Sequence, residues 1–124
     1  MKTYKQRVLP EVVEWVKMQG FEEVKANIEG IKNPIGYKRK RDDDFFTPDI
    51  TGFSFADKSY FEVVTKVPRP TRLITKLILL TTLAAQNSGK LFIIAPKGHF
   101  SFVRKLVADN NGIVAQIIKG DFIS

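Results

Sequence analysis

Cysteine is absent from the 124 residues. Its absence excludes disulfides, thiolate metal sites and cysteine nucleophiles, and fits a reducing compartment. Histidine occurs once, as His99, so a cluster of imidazoles cannot hold a metal. The longest apolar run, from 73 to 85, is broken by Lys76 and is too short to cross a bilayer. No signal-peptide core follows Lys2 and Lys5, and a cytoplasmic protein is expected. Phosphate-binding glycine loops, dinucleotide fingerprints and nucleophile elbows are also missing. Acidic residues are absent between Glu62 and Asp109, a stretch that carries Lys66, Arg69, Arg72, Lys76, Lys90, Lys97, Arg104 and Lys105.

What is present suits a single domain over residues 1–124. Apolar residues make up 44% and Phe occurs ten times, enough for a core without staples. Lys and Arg number 20 against 13 Asp and Glu, a formal charge of +7. A basic surface attracts polyanions through counterion release. Arg69, Arg72 and Lys76 are expected to form one basic stripe, while the opposing reading is a surface that only confers solubility.

Apolar spacing from Leu9 to Val16 predicts a helix over 9–19, with Pro10 in its first turn and Gly20 ending it. A strand is expected from Phe21 to Gly30, then a charged loop from Ile31 to Asp44 that includes a short strand near Tyr37. Residues 50–56 and 60–66 read as a hairpin turning at Asp57-Lys58-Ser59. A helix over 71–87, a buried strand over 91–95, a helix over 101–109 and a strand over 113–118 complete the order. The fold class is α/β, a mixed sheet flanked by helices.

Two carboxylates stand out against the basic background. Asp49 follows Pro48 at the start of one hairpin strand, and Glu62 lies among Tyr60, Phe61, Val63 and Val64 in the other. A carboxylate in such a run must be paired or metal-bound. With the turn at Asp57-Lys58, Asp49 lies beyond Glu62's partner, so a twist or bulge at Gly52 is needed to bring the two together. At ~4 Å and an effective dielectric of ~20, their repulsion is about 4 kcal/mol. A proton or a cation must relieve it, and two carboxylates suit Mg²⁺ or Mn²⁺. The blander alternative pairs Glu62 with a nearby Lys or Arg and uses Asp49 to cap a turn.

Pro48-Asp49, thirteen positions on Glu62-Val63-Val64, and the helix, strand and helix that follow resemble the PD-(D/E)XK nuclease superfamily, the restriction-endonuclease-like fold. The likeness spans Pro10 to about Ile118 and implies an αβββαβ core, with Phe92 to Pro96 as the fourth core strand. It implies metal-dependent hydrolysis of DNA phosphodiesters. Asp49, Glu62 and the Val63 carbonyl would be ligands, and Glu11 or Glu14 on the first helix would complete the site. The family's lysine position is occupied by Val64. Lys66, two residues further on, is the first candidate to replace it, with Lys76 or Arg72 on the next helix as alternatives. The departure leaves a second function open: a nucleic-acid-binding or assembly protein on the same fold, without catalysis.

The remaining candidates are weaker. The run Lys38-Arg39-Lys40-Arg41 beside Asp42-Asp43-Asp44 reads as a solvated loop, with Lys38 and Arg39 as possible phosphate contacts. His99 is expected to cap the following helix and Trp15 to be partly buried. Phe53 and Phe55 are expected in the core, and Gln86 at an exposed helix end or near the site. The length leaves no room for a separate recognition domain, so recognition by backbone or shape, a homodimer or a partner protein is expected.

Overall fold

The computed structural model describes residues 2–39 and 44–124. Helix α1 spans Tyr4–Met18, strand β1 Glu22–Ala26, β2 Tyr37–Lys38, β3 Phe45–Phe46, β4 Ile50–Ser54 and β5 Asp57–Val63. Helix α2 spans Thr71–Gln86, β6 Leu91–Pro96, α3 Phe100–Ala108 and β7 Gln116–Gly120. Five strands form one mixed sheet in the order β1-β4-β5-β6-β7. The β1–β4 and β4–β5 pairs are antiparallel, whereas β5–β6 and β6–β7 are parallel. Strands β2 and β3 form a separate antiparallel arm.

The alternation of β5 divides the core between two faces. Phe61 and Val63 join Leu9, Val12, Val13 and Val16 of α1 on one side. Tyr60 and Val64 join Leu77 and Leu80 of α2 and Val103 of α3 on the other. Strand β6 is the most buried, as its unbroken apolar run implied, with Ile93 and Ile94 facing opposite layers.

Three details depart from expectation, and two of them move the site. Helix α1 begins five residues earlier, because Thr3 and Gln6 form a capping box: Gln6 N–H donates to Thr3 Oγ1 and Thr3 N–H to Gln6 Oε1. Pro10 therefore lies inside the helix and not in its first turn. The β4–β5 turn is formed by Phe55 and Ala56, with Asp57 already paired to Ser54. Phe55 has φ +57° and is fully exposed, so it is not a core residue.

The third departure concerns Gly52. It sits in regular register opposite Ser59, and no bulge forms there. Its importance is close approach, since a Cβ would meet Phe21 Cβ at 3.1 Å. The one irregularity is in the neighbouring strand β1, between Glu22 and Lys25.

Candidate functional site

The hairpin register itself brings the two carboxylates together. Ile50 pairs with Phe61, so the residue before the one and after the other, Asp49 and Glu62, face each other across the strands. Their side chains are locked reciprocally through the backbone. Asp49 N–H donates to Glu62 Oε1 at 2.7 Å, and Val63 N–H donates to Asp49 Oδ2 at 2.9 Å. Asp49 is 3% exposed and Glu62 is fully buried. The pair lies at the C-terminal end of β5, beside its parallel neighbour β6, where open α/β sheets leave a crevice for ligands.

Two lysines close over this pair. Lys76 of α2 places Nζ 2.9 Å from Glu62 Oε2. Lys5, in the first turn of α1, places Nζ 3.0 Å from Asp49 Oδ2 and 3.6 Å from Glu62 Oε2. Glu62 Oε2 is held by these charges without a directed hydrogen bond. Burial first, then the charge of Asp49, pushes the Glu62 carboxyl up to about 7, with Lys5 and Lys76 pulling the other way. Burial alone would lower the pKa of Lys5, but the charges of Glu62 and Asp49 outweigh it and raise it.

The other expected site residues take separate places. Glu11 Oε2 accepts from the backbone and hydroxyl of Ser124, and Glu14 is exposed beside Lys17. Neither joins the carboxylate pair; α1 contributes a lysine there instead of a glutamate. Lys66 lies beyond the end of β5, exposed, and its N–H donates to His99 Nδ1. Strand β5 stops at Val63, so Lys66 does not share a strand face with Glu62. Val64 is buried under α2, so a lysine there would drive its ammonium into the core.

Arg72 is committed to the arm. Its guanidinium bonds Asp44 Oδ2 and the Phe45 carbonyl, and lies 4.3 Å from the centroid of the Phe46 ring. With Lys76 turned inward, Arg69 is the exposed remainder of the expected stripe. Lys38 pairs with Phe45 at this same end of the arm, and the Arg39 N–H donates to the Asp44 carbonyl at 2.6 Å. Lys40 to Asp43 fall outside the described residues.

His99 stands at the start of α3 but makes no side-chain cap; it holds the chain after β5. Trp15 is half-buried, stacked on Phe122 at 5.1 Å. Gln86 is exposed at the far end of α2, ten residues beyond Lys76 and so about 15 Å away along the helix.

Lys5 was missed although a signal was present. Thr3-x-x-Gln6 is a capping-box pattern, and a helix begun there puts Lys5 on the stripe of Leu9, Val12 and Val16.

Comparison with protein-family models, curated proteins and solved structures returns no match. Among the described residues no helix is long and apolar enough to cross a membrane. Nor do three or more His, Asp or Glu gather as a metal-ligand group.

Proposed function

We propose that the protein is a metal-dependent nuclease of the PD-(D/E)XK kind, hydrolysing DNA phosphodiesters at Asp49 and Glu62. The observation that carries this reading is the braced, buried carboxylate pair at the C-terminal end of β5. The order of α1, the β1-β4-β5 antiparallel unit, α2 and β6 supports it, with the β2–β3 arm as an insertion.

The residues fit Mg²⁺ or Mn²⁺. Glu62 Oε2 is a buried carboxylate oxygen whose partners are the Lys5 and Lys76 ammonium groups, and these ions need only one or two carboxylates when substrate phosphate supplies further oxygens. Asp49, Glu62 and the adjoining Val63 backbone would hold the ion. When bound, it supplies polarisation of the phosphoryl oxygen and a more acidic water.

The chain's own residues do the rest. The two backbone N–H bonds fix both carboxylates before substrate arrives, avoiding reorganisation later. Lys76, second choice to Lys66 in the sequence, is the lysine beside Glu62 and is positioned to steady developing negative charge. Lys5 must swing out for a cation to enter.

One observation favours the second reading, a nucleic-acid-binding protein without catalysis. Lys5 and Lys76 already neutralise both carboxylates, so the cluster is self-sufficient as a structural ion network. Cleavage of supercoiled plasmid with Mn²⁺ decides between them. The nuclease reading expects nicking that is lost in Glu62→Ala and Asp49→Ala; an inactive wild-type protein selects the binding reading.

A further inference from the structure

Beside the carboxylates lies a second feature that the hydrolytic reading leaves unused. A cavity of about 340 Å³ opens between the arm and the start of α2, lined by Phe45, Thr47, Val67, Arg69, Leu73 and Lys76 among others. Lys76 is shared, since its Nζ contacts Glu62. Phe45 is 57% exposed here, so its ring is accessible from solvent.

Phe45 is also held in place. Its ring edge lies where a Cβ at Gly36 would fall. Only glycine at 36 admits the ring. Arg72 bonds the Phe45 carbonyl and stacks on Phe46, which fixes the backbone of the same strand. Arg69 has no carboxylate partner among the described residues. The mouth therefore combines a fixed aromatic face with an available guanidinium, one residue away from the carboxylates.

We propose that this cavity is a nucleotide subsite for single-stranded DNA, with an unpaired base stacked on Phe45 and its phosphate on Arg69. The chemistry is that of single-strand recognition: an aromatic platform takes any base by its π-face, and a cation takes the backbone. A base within an intact duplex cannot reach the ring without leaving its stack. The subsite deepens the proposed function by naming its substrate class, a strand with unpaired bases at the cleavage point.

The test separates the two claims. Anisotropy of labelled single-stranded and duplex oligodeoxynucleotides is measured in EDTA, where cleavage is irrelevant. Phe45→Ala is expected to weaken single-strand binding about tenfold and leave duplex binding within twofold, with Phe45→Trp restoring it. Arg69→Ala, at an exposed position, is expected to weaken single-strand binding and flatten its salt dependence. Unchanged single-strand affinity in Phe45→Ala, or equal losses for both forms of DNA, overturns the subsite. Should Phe45→Ala unfold, single-strand affinity unchanged in Arg69→Ala overturns it. The two readings fail separately: a wild-type protein that never cleaves but loses single-strand affinity in Phe45→Ala keeps the subsite and loses the nuclease.

Discussion

Glu62 is the member of the carboxylate pair that burial pushes up toward neutrality. Its folded value of about 7 lies above the ordinary 4.5. The folded state therefore binds the extra proton between those values, and the associated stability is present below about 4.5 and lost as pH rises through about 7. The melting temperature is expected to fall over that window, and Glu62→Gln to flatten the fall in a pH series of thermal melts. A wild-type profile as flat as that of the variant would show that Lys5 and Lys76 keep the carboxylate ionised throughout. The bond from Asp49 N–H to Glu62 Oε1 acts in that same direction, since an N–H donor favours a charged acceptor.

Among the elements, the β4–β5 hairpin shows what a sequence reveals and what it hides. Its existence was legible from two β-rich segments, and so were the two carboxylates that it presents. The register was not: Asp57-Lys58-Ser59 has the chemistry of a turn, whereas the chain turns at Phe55-Ala56. Phe there adopts a φ that bulky residues avoid, so propensity pointed elsewhere. Shifting the turn toward the N-terminus placed Asp49 opposite Glu62 without the bulge that the other register required. Phe55→Gly is expected to stabilise the protein by about 0.5–1 kcal/mol, read from the urea midpoint, because glycine has no left-handed penalty. The arm was half legible. Tyr37 marked a strand, but its anchoring depends on long-range contacts: Tyr37 and Tyr60 hydroxyls 3.2 Å apart, and Lys58 Nζ donating to Tyr37 at 3.3 Å. Nothing local in residues 31–44 announces them.

At the scale of the molecule, the acid-free stretch sets the field. Lys66, Arg69 and Lys76 lie along the chain that leaves β5 and enters α2, Lys76 alone of them reaching Glu62, while Lys105 is partly offset by Asp109 at 3.0 Å. DNA affinity is expected to fall by an order of magnitude or more between 50 and 200 mM salt, a titration that counts the phosphates engaged. Salt-independent binding would assign the +7 charge to solubility alone. Sheet order follows from the connections: a two-residue turn makes β4 and β5 antiparallel, and helix-length crossovers make β5, β6 and β7 parallel.

The capping box at Thr3 and Gln6 ties these scales together through time. Helix ends open on far faster timescales than whole proteins unfold, and Lys5 belongs to the first turn that the box secures. The stopper over the carboxylates is thus carried by the first turn of α1, next to the Asp49–Glu62 lock in the sheet. Amide exchange is expected to be fast at the first turn of α1 and slow at Val63. Thr3→Ala, which removes the capping hydroxyl, is expected to speed exchange at that turn and leave Val63 unchanged.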